Sequence, residues 1–133
     1  MNHCILLIGH GSRQPEGNAE IRRFAELWQQ RHPEWMIETC FIEFDAELLD
    51  SGLDQAAAQA SQVTAVPLIL NAAGHVKLEI PAHIEAARAR NPQTEFRCAQ
   101  HIGATERVLE ILGRRLHETM LGLDAPDPRT TGV

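Results

Sequence analysis

The feature that most constrains the fold of this chain is the unbroken run of apolar residues from Cys4 to Ile8. A run this short, closed by Gly9, is typical of a strand that is buried on both faces, and such strands belong to parallel sheets. Gly9 and Gly11 flank His10 and permit turn conformations that other residues avoid. Because open α/β sheets bind ligands at the carboxyl ends of their strands, we expect the imidazole of His10 to lie at a binding edge.

Three further strands and four helices follow from the hydrophobic periodicity. The strands are predicted over 35–44, 63–70 and 94–99, and the helices over 18–32, 46–60, 81–90 and 103–121. This alternation predicts an α/β fold with three layers, α/β/α, around a four-stranded, mainly parallel sheet. We expect the strand order 2-1-3-4, which places the reversal of winding between strands 1 and 3.

Several residues predict details of these elements. Asn18 is a plausible N-cap of the first helix, and the Ser51–Gly52 pair predicts a break in the second. Pro67 predicts a bulge or an unpaired position in the third strand, because proline donates no hydrogen bond. Pro81 suits the first turn of the third helix, and Gly122 suits the end of the last.

Composition and charge exclude several classes of function for these 133 residues. The net charge of -6 argues against a general nucleic-acid surface or an anionic-membrane surface. No apolar run approaches the roughly 20 residues of a membrane span. Cys4, Cys40 and Cys98 have neither metal-ligand nor redox spacing, so we expect buried, reduced thiols. With no leader segment in the sequence, these thiols favour a cytoplasmic location.

A second glycine-histidine pair, Gly74-His75, follows the third predicted strand, and Glu43 ends the second. In the order 2-1-3-4, His10, His75 and Glu43 converge on one crevice, because neighbouring strands lie about 4.8 Å apart. Two imidazoles and one carboxylate suit divalent cobalt, nickel, iron or zinc. Three protein ligands leave coordination positions open, which is typical of a working metal site.

Other residues are candidates for the same edge of the sheet. Ser12 and Arg13 on one lip of the crevice, and Lys77 on the other, are candidates for contacts with anionic groups. His101 follows the fourth strand and can also reach this edge. The remaining histidines are expected at the surface: His3, His32, His83 and His117.

Three blocks of sequence carry a resemblance to a known family. They are His10-Gly11-Ser12-Arg13 with Asn18 downstream, Phe41-Ile42-Glu43, and Gly74-His75-Val76-Lys77 followed by Ile80-Pro81. In this order they resemble the sirohydrochlorin cobaltochelatases of the CbiX type, which belong to the class II chelatases. The resemblance runs from about Leu6 to Leu112 and covers most of the chain.

The resemblance implies a chelatase-like fold and the insertion of Co²⁺ into sirohydrochlorin, a step of cobalamin biosynthesis, without a nucleotide. It implies that His10 and His75 hold the incoming metal and that Glu43 assists. The residues expected to contact the tetrapyrrole are Gly11, Ser12, Arg13, Gly74 and Lys77. Three alternatives stay open: insertion of Ni²⁺ or Fe²⁺ into the same ring, a non-catalytic carrier of metal or tetrapyrrole, and a phosphate-handling hydrolase. The absence of arginines around His75 disfavours the last.

Residues 1–122 are predicted to form a single CbiX-like domain, and residues 123–133 a linker-like tail. The segment Thr130–Val133 resembles the start of another strand, which would make the chain one half of a longer, duplicated protein; the alternative is a frayed tail. In this family, long members carry two such halves in tandem, and short members pair as homodimers. The resemblance therefore implies a homodimer or pairing with a second, similar half.

Overall fold

A computed structural model of the protein describes residues 2–70, 76–103 and 105–124. The contacts within the chain divide it into two units, Met1–Ile102 and Gly103–Val133. The first unit contains four strands and three helices, and the second contains the last helix. The predicted single domain over 1–122 stays a prediction.

Strands and helices alternate along the chain as the periodicity predicts. The elements are β1 (His3–Gly9), α1 (Pro15–Arg31), β2 (Met36–Phe41), α2 (Leu49–Gln59), β3 (Gln62–Pro67), α3 (Val76–Arg90), β4 (Glu95–Cys98) and α4 (Glu106–Asp124). α4 extends two residues into the predicted tail, and the rest of that tail, 125–133, lies outside the described residues.

The four strands form one parallel sheet in the order β2-β1-β3-β4. The predicted fold class and the predicted strand order are both confirmed. The pairing of β1 with β2 ends with Gly9 opposite Phe41, and its pairing with β3 ends with Ile8 opposite Pro67. The ends of these three strands therefore meet at one edge of the sheet, where the winding reverses.

The central position of β1 explains its unbroken apolar sequence. Successive side chains of a strand point to opposite faces. Cys4, Leu6 and Ile8 belong to a buried cluster with residues of α2 and α3. On the opposite face lies α1, whose Ile21 side chain approaches Gly9. Because helices cover both faces, every residue from Cys4 to Ile8 is buried.

The start of α1 differs from the prediction. Gln14 is the N-cap and Pro15 occupies the first turn, so the helix begins ahead of Asn18. Proline is favoured at this position because its fixed φ suits a helix and its missing N–H has no partner to lose there. The prediction of Asn18 as N-cap was wrong, and its side chain instead makes tertiary hydrogen bonds.

Three other local predictions were wrong, and one was right. α2 continues through Gly52 without a break, Pro81 lies inside α3, and Gly122 lies inside α4. In α3, the buried side chains of Val76 and Ile80 anchor the turn that precedes Pro81. Pro67 is unpaired on its β4 side, as predicted, because the last β3–β4 pair is Ala65 with Cys98, two residues earlier.

Among the described helices, none combines the length and the apolar character that a membrane span requires.

We predict that Gly52→Ala destabilises the protein by about 1–3 kcal/mol, because it overfills the interface between α2 and β2. A Cβ atom at Gly52 would lie 2.5 Å from Cβ of Cys40, which is fully buried. The free energy of unfolding in urea measures the effect. Ser51→Ala, at the exposed neighbouring position, is the control and should change that energy by less than about 0.5 kcal/mol. Equal stability of the two variants would contradict this packing argument.

Candidate functional site

His10 and Glu43 lie in neighbouring loops because the pairing of β1 with β2 continues beyond the strands. The backbone N–H of Ile42 donates to the carbonyl of Gly9 at 3.0 Å, and that of Glu43 donates to the carbonyl of His10 at 3.2 Å. The two side chains meet at this edge, with Nδ1 of His10 3.7 Å from Oε1 of Glu43. The structure thus brings together these two predicted ligands.

Gly11 allows the two loops to approach this closely. Its φ is +99°, a region that favours glycine. A Cβ atom at this position would lie 1.8 Å from the carbonyl oxygen of Glu43. Any side chain at residue 11 would therefore push apart the two loops that carry His10 and Glu43.

The His10–Glu43 pair is open to solvent and suited to sharing a cation. The two side chains are 50% and 47% exposed. At 3.7 Å their nearest polar atoms are too far apart for a hydrogen bond. Zinc-like ions bind imidazole nitrogen and carboxylate oxygen at about 2.0–2.2 Å, so one ion can bridge donors up to about 4.2 Å apart. The observed separation falls within that limit.

The third predicted ligand, His75, and its neighbour Gly74 lie outside the described residues. His75 immediately precedes Val76, where α3 begins, in the connection that follows β3. Within residues 2–70, 76–103 and 105–124, no group of three His, Cys, Asp or Glu side chains is arranged to hold a metal ion. The three-ligand set stays a prediction, and so do the roles of His75 and Gly74.

Asn18 connects the loops that carry His10 and Glu43. Its side chain is buried, with the residue only 5% exposed. The amide oxygen accepts the N–H of Ser12, and the amide nitrogen donates to the carbonyl of Phe44 and to Oδ2 of Asp45, each at 3.0 Å. The loop after β1 is thereby fastened to the loop after β2.

This role of Asn18 was missed at the sequence level, although a signal was present. Asn18 falls on the same helical face as Ile21 and Ala25, which was predicted to be buried. A buried amide requires hydrogen-bond partners, so its position on that face indicated tertiary contacts.

Arg22 fixes the loop after β2 from the next turn of α1. Its guanidinium donates to Oδ1 of Asp45 at 2.5 Å and to Oε1 of Glu47 at 2.9 Å. Burial of the Asp45 carboxyl opposes its ionisation, but hydrogen bonds from Arg22, from the N–H of Glu47 and from Asn18 outweigh that effect and lower the pKa of Asp45. The carboxylate therefore stays ionised and holds the loop.

Ser12 and Arg13 lie in the loop that carries His10, and both have contacts within the loops; their predicted contact with anionic groups stays a prediction. The hydroxyl oxygen of Ser12 accepts the N–H of Gln14 at 3.0 Å. The guanidinium carbon of Arg13 lies 4.9 Å from the centre of the Phe44 ring. Arg13 is exposed, so its charge is available to an anionic ligand.

Lys77 lies in the first turn of α3, at the border of an apolar cavity of about 170 Å³. Ile69, Ile80, Pro81 and His101 also line this cavity. It lies beyond the carboxyl ends of β3 and β4, so Lys77 and His101 do reach that edge of the sheet.

The cysteines match the prediction at two of three positions. Cys4 and Cys40 are free and buried, and burial raises the pKa of each thiol to about 12. The prediction that Cys98 is buried was wrong. Cys98 is the last residue of the edge strand β4 and borders the apolar cavity, so fewer neighbours cover it.

Three of the remaining histidines have well-defined partners. A ring nitrogen of His32 lies 3.0 Å from Glu34. His3 forms a 2.8 Å hydrogen bond with Thr64, and a ring nitrogen of His83 lies 2.6 Å from Asp50. Their partners lie outside the loops of His10 and Glu43.

Comparison with known proteins places this architecture in a family. The CbiX family model matches residues 4–119, which is most of the chain. The chain belongs to the CbiX family.

Two curated relatives and one solved structure illustrate the similarity. A sirohydrochlorin cobaltochelatase of Priestia megaterium is 39% identical over 97% of this chain and 42% of its own length. A sirohydrochlorin ferrochelatase of the same organism is 33% identical over 87% of this chain and 44% of its own length. The crystal structure of the sirohydrochlorin chelatase SirB from Bacillus subtilis subspecies spizizenii in complex with cobalt matches with a TM-score of 0.80 and 29% identity, over 89% of this chain and 51% of that one. This CbiX-family chain therefore spans about half the length of these relatives.

We predict that Asn18→Ala destabilises this CbiX-family chain by about 2–3 kcal/mol, because it leaves the N–H of Ser12 and the carbonyl of Phe44 without their partner. Urea unfolding measures the loss. Glu20→Ala, at an exposed position of the same helix, is the control and should stay within about 0.5 kcal/mol of the unaltered protein. A loss as small as that of the control would show that Asn18 does not fasten the loops.

Arg22→Gln should lower stability near neutral pH, with a deficit that disappears in acid. The lowered pKa of Asp45 contributes stability that is fully present above the unfolded-state value of about 3.9 and is lost as pH falls through the folded-state pKa. The free energy of unfolding, measured from about pH 7 to pH 2.5, should therefore converge for variant and parent at the acid end. Arg23→Gln, at the exposed adjacent position, should follow the parent throughout. A deficit that is constant with pH would contradict the assignment to Asp45.

Proposed function

We propose that this chain inserts a divalent metal ion, with cobalt favoured, into sirohydrochlorin. The observation that carries the proposal is the pair of half-exposed donors at the carboxyl edge of the parallel sheet, Nδ1 of His10 and Oε1 of Glu43, 3.7 Å apart. Its second support is the similarity to proteins named sirohydrochlorin cobaltochelatase and sirohydrochlorin ferrochelatase. The metal is a substrate of this reaction and leaves with the product.

Insertion exchanges one metal ion for two protons. The metal-free ring carries protons on two of its four pyrrole nitrogens, so each M²⁺ that enters releases two H⁺. A metal ion must first lose water to protein ligands and then lose those ligands to the ring nitrogens. Imidazole and carboxylate suit this transfer, because each can be replaced by a ring nitrogen, whereas thiolates hold soft metals more tightly. Cys4 and Cys40 are buried in the core, and the pKa of each is raised to about 12, so these thiols do not compete for the metal.

The same two side chains can receive the protons that insertion releases. Once the metal bonds to the ring, the imidazole of His10 and the carboxylate of Glu43 each regain a free lone pair. Two acceptors then face two departing protons, and solvent can carry those protons away because both side chains are half exposed. In this proposal His75 supplies the third ligand during loading of the metal.

The carboxylates of sirohydrochlorin require local donors, since the chain as a whole carries a net charge of -6. Arg13 lies on the lip beside His10, and Lys77 lies in the first turn of α3. The hydroxyl group of Ser12 accepts from Gln14 and still has its own proton to donate. These groups make the site locally favourable for an anionic ring.

Cobalt is favoured because the cobaltochelatase relative is 39% identical and the ferrochelatase relative 33% identical. Iron and nickel remain the alternative substrates, because the same donor set accepts each of them. We further propose that a second CbiX-type half completes the working unit, as a second copy of this chain or as another domain, since the two Priestia megaterium relatives are about twice as long as the matched region. The three free cysteines fit a reducing compartment such as the cytoplasm.

The test is the rate of the absorbance change when Co²⁺ is added to sirohydrochlorin at about pH 7–8, with and without the protein. We expect the protein to accelerate insertion, and His10→Ala and His75→Ala each to lower that rate by about 100-fold or more. His83→Ala is the control, because His83 lies on α3 and pairs with Asp50. It should leave the rate unchanged.

If His10→Ala still accelerates metal insertion, the proposed role of the His10–Glu43 pair is refuted. Binding of Co²⁺ and of the ring without acceleration would favour the alternative of a non-catalytic carrier. Competition among Co²⁺, Ni²⁺ and Fe²⁺ in the same assay would identify the preferred metal.

A further inference from the structure

Phe44, which follows Glu43 directly, is an exposed aromatic residue held in an unfavourable backbone conformation. It is 46% exposed, although it is a large apolar residue. Its φ is +60°, and it is the one non-glycine residue with a positive φ in the described part of the chain. Such a conformation favours glycine or asparagine and is a genuine outlier for a bulky side chain.

Hydrogen bonds from the buried Asn18 and from the partly buried Arg22 maintain this conformation. The carbonyl of Phe44 accepts a hydrogen bond from the side chain of Asn18 at 3.0 Å. The next residue, Asp45, is held by Arg22 and by the same Asn18 amide. The fold therefore fixes the backbone on both sides of the Phe44 carbonyl while the ring remains exposed. Unfavourable geometry that the surroundings maintain in this way is typical of binding sites.

The ring of Phe44 is paired with a cation. The guanidinium carbon of Arg13 lies 4.9 Å from the ring centre, within the range of a cation–π contact. Arg13 belongs to the loop of His10, and Phe44 belongs to the loop of Glu43, so the contact joins the two loops that carry the His10–Glu43 pair. An aromatic surface beside a guanidinium suits a ligand that is planar and apolar at its centre and anionic at its rim.

We infer that Phe44, with Arg13, stacks against the face of the tetrapyrrole beside the His10–Glu43 pair. This contact contributes to selection of a planar macrocycle. The inference deepens the proposed function and rests on it for the identity of the ligand. It gives a reason why phenylalanine stands where the backbone alone would favour glycine, because only the ring supplies the contact. Phe44 is in this view a substrate-binding residue, and His10 and Glu43 perform the transfer.

The experiment is a titration of metal-free sirohydrochlorin, followed by absorbance, into the parent protein and into Phe44→Gly, Phe44→Leu and Phe44→Tyr. Stacking contacts of this kind are worth about 5-fold to 150-fold in affinity. We therefore expect Phe44→Gly to weaken binding of the ring by about 10-fold and Phe44→Leu to weaken it less. Phe44→Tyr should bind the ring as tightly as the parent, because it keeps an aromatic ring. Phe44→Gly should be as stable as the parent or more stable, since glycine tolerates the positive φ.

The matched control is Phe24→Leu, because Phe24 is an aromatic residue of α1 with a similar exposure of 47%. It should leave the affinity for the ring unchanged. The affinity of Phe44→Gly for Co²⁺ alone should also equal that of the parent. This measurement separates loss of the stacking contact from damage to the His10–Glu43 pair.

The outcomes separate this inference from the proposed function. Ring affinities within twofold of the parent in both Phe44→Gly and Phe44→Leu would overturn the inference, even where Co²⁺ insertion proceeds. Ring binding that depends on Phe44 in a protein that inserts no metal would support the inference and refute insertion. A parent protein that does not bind the ring would overturn both.

Discussion

The close approach of two backbones, at Gly11 and at the carbonyl of Glu43, is the constraint on which the site depends. Parallel pairing sets neighbouring strands about 4.8 Å apart. Here the pairing continues past the strand ends through the hydrogen bonds that link Gly9 to Ile42 and His10 to Glu43. Without a side chain at residue 11, nothing intervenes between the loops. An imidazole and a carboxylate from separate segments of the chain therefore meet at 3.7 Å.

A partly buried polar network, centred on the buried Asn18, supports the loops that carry this exposed pair. Asn18 and Arg22 project from α1 and hold the loop after β2 at Phe44 and Asp45. The hydrogen bonds of Asn18 are shielded from water, because the residue is only 5% exposed, and this strengthens them. This arrangement suits the proposed transfer of a metal ion, because hydrogen bonds hold the supporting side chains while His10 and Glu43 stay half exposed. The unfavourable backbone at Phe44 depends on the same network.

Much of the architecture was predictable, because hydrophobic periodicity marks the strands and helices. Their regular alternation along the chain then indicates a parallel sheet and its common strand order. The meeting of His10 and Glu43 followed from two strand ends and the order 2-1-3-4. The wrong predictions concerned residues read through their local propensities. Gly52 suggested a break, but it allows α2 to pack on Cys40. Asn18 suggested an N-cap, but its side-chain amide forms hydrogen bonds with the loops after β1 and β2. The opposing contacts in both cases come from elements distant in the sequence.

The sequence by itself determined the parallel sheet, the central place of its first strand and the histidine at that strand's exit. These depend on short-range patterns: an apolar run for a strand covered on both faces, and glycines where the chain turns. Only the tertiary structure decided that an asparagine would fasten two loops, that a phenylalanine would adopt a left-handed backbone, and that a glycine would be required by a neighbouring carbonyl. Each of these depends on atoms brought together by folding, and no local pattern records such distances.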